Sequence, residues 1–171
     1  MVTLYIAVSI DGRIAGEDDD LSWLELAGSG GRDGDYGYSA FHHSVDVTVL
    51  GRGTWDVCKR FDPWPYSGGE CVVITRRTDL VPVANESFEP FDADRWRERK
   101  AREHVYLCGG GGVTKLFLDA ELVDRMEIAT LPVILGKGPS LFLDGVPARK
   151  WKLESSEAFA SGVVQSVYVK A

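Results

Sequence analysis

The sequence predicts an α/β fold with a largely parallel sheet, and three features of the chain indicate it. Apolar, β-branched segments alternate with helical segments over most of the 171 residues, as in sheets whose strands are joined by helices. Toward the carboxyl terminus strand follows strand, which predicts an antiparallel edge. No repeat or linker divides the chain, and its length fits one sizeable core, so we expect residues 1–171 to form a single domain.

The first half of the chain predicts two strands and two helices. VTLYIAVS (2–9) and DVTVLG (46–51) are apolar and β-branched, which is typical of buried strands. YSAFHHSV (38–45) and TWDVCKRF (54–61) each predict a short helix. GSGGRDGDYG (28–37) is rich in glycine and predicts a mobile loop.

The second half continues this alternation and then ends in strands. ECVVITR (70–76) and VYLCG (105–109) are apolar and predict strands. DADRWRERKAREH (92–104) predicts an exposed helix that Asp92 or Asp94 caps. The remaining predicted elements are a short strand within 86–91, a helix over 113–122, a strand over 124–135, and two closing strands, 148–160 and 162–171, in which apolar and polar residues alternate.

Composition excludes several functional classes. The formal net charge is -7 and no long basic stripe is present, so we do not expect nucleic-acid binding. No apolar stretch approaches the roughly 20 residues of a membrane helix, and the amino terminus does not resemble a signal peptide. Three cysteines and three histidines lack metal-ligand spacing, which predicts no metal site and favours a reducing cytoplasm.

Three predicted strands end in groups that suit an anion. GRGT (51–54) follows one strand, TRR (75–77) follows the next, and GGGG (109–112) follows a third. Glycines let a backbone approach a ligand closely, helix amino termini favour anions, and arginine suits phosphate. A glycine at a strand-to-helix turn is more often structural, and neither turn has the Rossmann or P-loop spacing. Together, however, the carboxyl ends of parallel strands form one edge, where a phosphorylated dinucleotide would bind.

These motifs, in their order along the chain, resemble the dihydrofolate reductase-like superfamily. The resemblance is strongest to the reductase domain of the bifunctional deaminase-reductase of riboflavin biosynthesis, and it covers residues 2 to about 143 by motif order. It implies an eight-stranded, mostly parallel sheet with flanking helices, an antiparallel carboxy-terminal hairpin, and NADPH along the sheet edge. The motifs that carry it are AVSIDGRIAG, VTVLGRGTW, VVITRR, VYLCGGGGVTKLFL and LVDRMEIATLPVILGKGPSLF.

The resemblance also implies roles for individual residues. Gly51, Arg52 and Thr54 would hold the diphosphate region of the cofactor, and Thr75, Arg76 and Arg77 would hold its 2′-phosphate. The Gly109–Gly110 peptide bond would be cis. The residues that would line the diphosphate and nicotinamide side are Gly109, Gly110, Gly111, Gly112 and Val113.

The substrate half is less well defined by the sequence. The resemblance implies hydride transfer to a pyrimidine such as 5-amino-6-(5-phosphoribosylamino)uracil, and it implies a homodimer. Another heterocycle, a carbonyl or an imine could be the acceptor instead, or the domain could bind a nucleotide without catalysis. The helix at 38–45 lacks the acid of dihydrofolate reductases, and the zinc deaminase motifs are absent.

Two acids are candidate proton donors. Asp11 follows the first strand, but an Asp-Gly turn explains it as well. Asp35 precedes the helix at 38–45, but it could be a solvated acid. We expect the loop 16–37 to close over the small-molecule heterocyclic substrate. Lys137 and Arg13 are the cations that could bind a substrate phosphate.

Overall fold

The computed structural model describes residues 1–28 and 35–171. In this part of the chain the structure contains eight strands, four α-helices and two short 3-10 helices, Glu17–Asp19 and Ser22–Ala27. The strands are β1 (Val2–Ser9), β2 (Val47–Gly51), β3 (Glu70–Ile74), β4 (Glu86–Glu89), β5 (Val105–Gly109), β6 (Arg125–Leu131), β7 (Trp151–Ala158) and β8 (Val164–Lys170). The helices are α1 (Tyr38–His43), α2 (Arg52–Cys58), α3 (Ala93–Lys100) and α4 (Gly111–Asp119).

All eight strands form one sheet in the order β4-β3-β2-β5-β1-β6-β8-β7. The first six strands in this order pair in parallel, whereas β8 pairs antiparallel with both β6 and β7. The predicted mixed sheet with its antiparallel carboxy-terminal hairpin is therefore confirmed. The carboxyl ends of β1, β2, β3 and β5 lie on the same edge, because these strands are parallel neighbours.

Two of the apolar clusters in the described residues lie on the two faces of the sheet. Leu4 and Val49 belong to one cluster, together with the fully buried Trp96 of α3. Tyr5 and Leu50 belong to the other cluster. Successive residues of a strand point to opposite faces of the sheet. Leu4 and Tyr5 are adjacent in β1, and Val49 and Leu50 are adjacent in β2, so the two clusters lie on opposite faces. Both faces of the central strands are therefore buried and apolar.

Two helices begin earlier than the sequence predicts. α2 begins at Arg52 rather than at residue 54, and α4 begins at Gly111 rather than at residue 113. Each helix follows a glycine in an extended conformation, Gly51 or Gly110. The glycines after β2 and β5 thus form the first helical turns, whereas the sequence suggested connecting loops.

Other local predictions agree with the structure. Asp92 caps α3, as expected, because its carboxylate accepts hydrogen bonds from the amides of Asp94 and Arg95 at 3.0 and 3.1 Å. Within the described residues, no helix combines the length and apolarity that a membrane span needs. Residues 29–34 of the glycine-rich loop predicted over 28–37 lie outside the described residues.

Candidate active site

The carboxyl edge of the sheet opens into a cavity of about 910 Å³, called the main cavity here. Its floor includes Ile6 and Ala7 of β1 and Cys108 of β5. Its walls come from the first turns of α2 and α4 and from the segment after β1. Two of the three elements that the sequence placed around an anion site, GRGT and the glycines after β5, therefore meet at this cavity, whereas TRR does not line it. The remaining lining residues include Ile14, Asp19, Leu24, Val57, Phe61, Tyr66, Ile74 and Pro139.

The four glycines after β5 have different structural roles. Gly109 has φ +109°, a conformation that favours glycine, and the Gly109–Gly110 bond is cis, as expected. A Cβ on Gly111 would lie 2.5 Å from the carbonyl oxygen of Ser140, so this glycine permits close backbone packing. A Cβ on Gly112 would meet no atom within 4 Å, and Gly112 lines the main cavity. Gly110, Gly111 and Gly112 thus all border the cavity, and close backbone packing also requires a glycine at position 111.

The GRGT segment lies directly beside this glycine turn. Gly51, Arg52 and Thr54 all line the main cavity. A Cβ on Gly110 would lie 3.3 Å from the Thr54 hydroxyl, and one on Gly51 would lie 3.4 Å from Val113. The two junctions are therefore in contact, because β2 and β5 are neighbours in the sheet.

Arg52 is the basic side chain that α2 brings to the main cavity. Its guanidinium pairs with Asp56 on the next turn of the helix. Gly53, between Arg52 and Thr54, also lines the cavity, and a Cβ there would meet no atom within 4 Å. α2 thus presents open backbone and one guanidinium to the cavity.

The TRR segment forms part of a second cavity of about 440 Å³. The Thr75 hydroxyl accepts a hydrogen bond from the Arg77 amide at 3.1 Å. The Arg77 guanidinium donates two hydrogen bonds to Asp79, of 2.9 and 2.5 Å. Arg76 has no ion pair or hydrogen bond with its side chain among the described residues. All three TRR residues line the second cavity, but Arg76 is the one whose guanidinium is available to a ligand.

A carboxylate shares the second cavity with these arginines. Glu89 lies at the end of β4, and its Oε2 is 2.7 Å from Arg95 of α3. The other oxygen, Oε1, is buried and has no hydrogen-bond partner among the described residues. Burial raises the pKa of Glu89, although Arg95 lowers it. The second cavity therefore contains an acceptor as well as cations.

Hydrogen bonds hold the Asp11 carboxylate in the turn after β1, and its role as a proton donor stays a prediction. Its carboxylate accepts hydrogen bonds from the Ser9 hydroxyl at 2.7 Å and from the amides of Leu135 and Gly136 at 3.1 and 2.8 Å. The Ser9 hydroxyl, followed by the Leu135 amide, lowers the pKa of Asp11 to about 2. Asp11 is thus ionised at neutral pH, and it fastens the turn after β1 to the segment after β6.

Asp35 is similarly occupied at the start of α1. It accepts hydrogen bonds from the amides of Gly37 and Ser39 at 2.9 and 2.7 Å. Hydrogen bonding, first from the Ser39 hydroxyl, lowers the pKa of Asp35. Asp35 does not line the main cavity. These contacts place the Asp35 carboxylate at the start of α1, and its role as a proton donor stays a prediction.

Sequence reasoning missed three polar groups in the main cavity. Tyr66, Cys58 and Cys108 all line it, and the Tyr66 hydroxyl lies 3.1 Å from the Cys108 sulfur and 3.8 Å from the Cys58 sulfur. Residues 62–69 looked like a connecting loop, and the cysteines looked like core residues. Tyr66 and Cys108 are 42 residues apart, so no local motif could have paired them.

Comparison with known proteins identifies the family. Residues 97–165 match the model of the RibD C-terminal domain. Over 175 residues the chain is 36% identical to the uncharacterized protein YwjB of Bacillus subtilis (strain 168), covering 98% of this chain and 97% of that protein. The chain belongs to the RibD C-terminal domain family. A second relative in this bacterium, the uncharacterized protein YyaP, is 26% identical over 182 residues, covering 98% of this chain and 93% of that protein.

Solved structures agree with this assignment. A Shewanella sp. PV-4 protein provisionally assigned to riboflavin biosynthesis superimposes with a TM-score of 0.86 at 28% identity, covering 99% of this chain and 98% of that one. The diaminohydroxyphosphoribosylaminopyrimidine deaminase/5-amino-6-(5-phosphoribosylamino)uracil reductase of Thermotoga maritima gives a TM-score of 0.71 at 18% identity. The match covers 100% of this chain and 56% of that bifunctional chain, and it shows that the two share a fold. The RibD-like chain thus has a dihydrofolate reductase-like fold, as the motifs implied.

Proposed function

We propose that this protein is an NADPH-dependent reductase of the RibD type, which transfers a hydride to a heterocyclic acceptor of the 5-amino-6-(5-phosphoribosylamino)uracil class. The observation that carries this proposal is the meeting of the GRGT segment and the glycine turn at the main cavity. Family membership supports the reductase chemistry. The two cavities together offer sites for a dinucleotide and an acceptor.

The residues around the main cavity fit a dinucleotide diphosphate. Gly53 and Gly112 leave open space where other residues would place a Cβ, so a ligand could lie directly against the backbone. The first amides of α4, a helix of nine residues, are free of intrahelical partners and favour an anion. Thr54 adds a hydroxyl beside Gly110. These residues would therefore hold the diphosphate, and Val113 would limit the cavity behind it.

The second cavity fits the part of NADPH that NADH lacks. Arg76 offers a guanidinium without a protein partner, and guanidinium groups bind phosphate through paired hydrogen bonds. Arg77 contributes charge, but Asp79 already holds its donors. Arg76 is thus the residue that we expect to discriminate most between the two cofactors.

The chemistry requires a hydride and a proton. Bound reduced nicotinamide would supply the hydride, and the chain's own residues supply position and exclude water. Ile6 and Ala7 of β1, together with Ile14 in the segment after it, give the main cavity an apolar surface. The acceptor carbon gains the hydride, while its oxygen or nitrogen gains one proton from the surrounding water or a neutral hydroxyl.

Hydride transfer can be measured directly. NADPH deuterated at the transferable position is incubated with the protein and 5-amino-6-(5-phosphoribosylamino)uracil or its phosphate-free counterpart, and the product is analysed by mass spectrometry. One deuterium in the product supports the proposal. Stable NADPH in the presence of both compounds would contradict it. The homodimer and the cytoplasmic location stay predictions.

A further inference from the structure

The main cavity contains a chain of hydroxyl and thiol groups that the cofactor would not use. The Tyr66 hydroxyl contacts both Cys108 and Cys58, and all three groups line the cavity. The Tyr106 ring packs beside this group, with its centroid 6.4 Å from that of Tyr66 and 6.3 Å from that of Tyr38. Such a network fixes the direction in which each hydroxyl or thiol points. The cavity therefore presents an oriented polar patch, formed by Tyr66, Cys58 and Cys108.

This polar patch is uncharged at neutral pH. Burial raises the pKa of Cys58 to about 12 and raises the pKa of Tyr66 well above its usual value. Burial also raises the pKa of Cys108. Neutral hydroxyl and thiol groups can both donate and accept hydrogen bonds, so they suit amide, carbonyl and ring-nitrogen groups of a neutral ligand.

The surface around the polar patch is apolar and broad. Val57 and Phe61 follow α2 on one side, and Leu24 lies in the segment after β1. Phe61 is 48% exposed and Leu24 is 38% exposed, and both line the cavity, so they offer apolar surface to a ligand. A few oriented polar groups within an apolar wall are typical of sites for flat organic ligands.

The described residues that line the main cavity leave no free cation for a phosphate on the acceptor, because Arg52 pairs with Asp56 and is expected at the cofactor diphosphate. Asp19 contributes a carboxylate to the lining. Arg13, one of the two cations that the sequence offered for a substrate phosphate, donates to the Gly138 carbonyl and the Ser140 hydroxyl at 2.9 and 2.7 Å. Lys137, the other, pairs with Glu17 at 3.1 Å. Arg13 thus fastens the turn after β1 to residues 138–140, whereas Lys137 forms an exposed ion pair, and neither residue lines the main cavity.

We propose that the acceptor of this protein carries no phosphate, and that the main cavity takes an uncharged, flat heterocycle whose polar edge hydrogen-bonds to Tyr66 and Cys108. This inference rests on the proposed function and specifies its substrate class. Tyr66 is the specificity-determining residue, because its hydroxyl lies between the two thiols of the polar patch. Asp19 adds discrimination against a negatively charged acceptor.

The inference is tested with a pair of compounds that differ only by phosphate. Binding of 5-amino-6-(5-phosphoribosylamino)uracil and of its phosphate-free ribosylamino counterpart is measured by calorimetry, with the free protein and with the NADP⁺-saturated protein. The phosphate-free compound should bind at least as tightly as the phosphorylated one. Tighter binding of the phosphorylated compound by about tenfold, or no binding of either compound, would overturn the inference.

Variants assign the preference to named residues. Tyr66→Phe keeps the ring and should weaken the phosphate-free compound by about tenfold, whereas the matched variant Tyr168→Phe on β8 should leave it unchanged. Asp19→Asn should improve the phosphorylated compound relative to its counterpart. Equal affinities in Tyr66→Phe and the wild type would overturn the role of Tyr66.

The same experiment separates this inference from the proposed function. Loss of NADP⁺ binding would contradict the proposed function, but the comparison of the two compounds on the free protein would stand. Conversely, tight NADP⁺ binding combined with a preference for the phosphorylated compound would support the reductase and overturn the phosphate-free acceptor.

Discussion

Alanine at Gly112 and alanine at Gly111 should have opposite effects on stability, although the two residues are neighbours in α4. A Cβ on Gly112 meets no atom within 4 Å, and the residue is already helical. Replacing a helical glycine with alanine stabilises a protein by about 0.5–1 kcal/mol. The melting temperature of Gly112→Ala should therefore rise by about 1–4 °C for a chain of this length.

Gly111→Ala should lower the melting temperature instead. The new Cβ would lie 2.5 Å from the Ser140 oxygen and 3.2 Å from the Leu141 oxygen, and both are backbone atoms that cannot rotate away. Overpacking of this kind costs about 1–3 kcal/mol, which exceeds the helix-propensity gain. We expect a net loss of about 1–2 kcal/mol, or about 2–8 °C in melting temperature.

NADPH affinity should also distinguish the two glycine variants. The methyl group of Gly112→Ala projects into the main cavity, where we expect the diphosphate to lie against the backbone. NADPH should raise the melting temperature of the wild type but hardly that of Gly112→Ala, whose affinity should fall by at least about tenfold. Thermal unfolding with and without NADPH measures both effects. Wild-type NADPH affinity in Gly112→Ala, or wild-type stability in Gly111→Ala, would refute the reasoning.

Three further predictions follow from the side chains around the site. Arg76→Ala should weaken NADPH by about 10- to 100-fold without changing NADH, and Arg77→Ala should weaken it less, as measured by fluorescence titration; equal losses for both cofactors would contradict the assignment. Asp11→Asn should lower the free energy of unfolding at neutral pH. Because the folded pKa of Asp11, about 2, lies below its unfolded value of about 4, the carboxylate stabilises the fold above pH 4. Urea midpoints of the variant and the wild type should therefore converge as the pH falls toward 2, and a constant difference would contradict this. The thiol of Cys71, which is fully buried and whose pKa burial raises to about 12, should resist dithionitrobenzoate at pH 8 until the protein unfolds; rapid labelling of Cys71 in the native protein would contradict its burial.

The strands were largely predictable because the residues that specify each strand are adjacent in the sequence. β1 and β5 have the predicted bounds, since each is a continuous apolar run that ends at a polar residue or a glycine. The starts of α2 and α4 were not predicted correctly. Glycine has low helix propensity, so the sequence placed these glycines in loops, whereas packing against neighbouring strands made them helical.

The cofactor half of the site was also more predictable than the substrate half. GRGT and the glycine turn reach the same cavity because parallel strands place their carboxyl ends together. Asp11 and Asp35 were predicted as proton donors because they flank elements of the expected site. In the structure, both carboxylates accept hydrogen bonds that stabilise turns. Tyr66 and Cys108 come together only through the tertiary fold, and no spacing in the sequence records their contact.

The central claim is that the carboxyl edge of the sheet binds NADPH, and one titration tests it most directly. Tryptophan fluorescence of the wild-type protein is followed as NADPH and, separately, NADH are added. The account predicts saturable quenching by NADPH, with an affinity at least about tenfold higher than that for NADH, because Arg76 would contact the 2′-phosphate. Equal affinity for the two cofactors, or binding of neither, would contradict it.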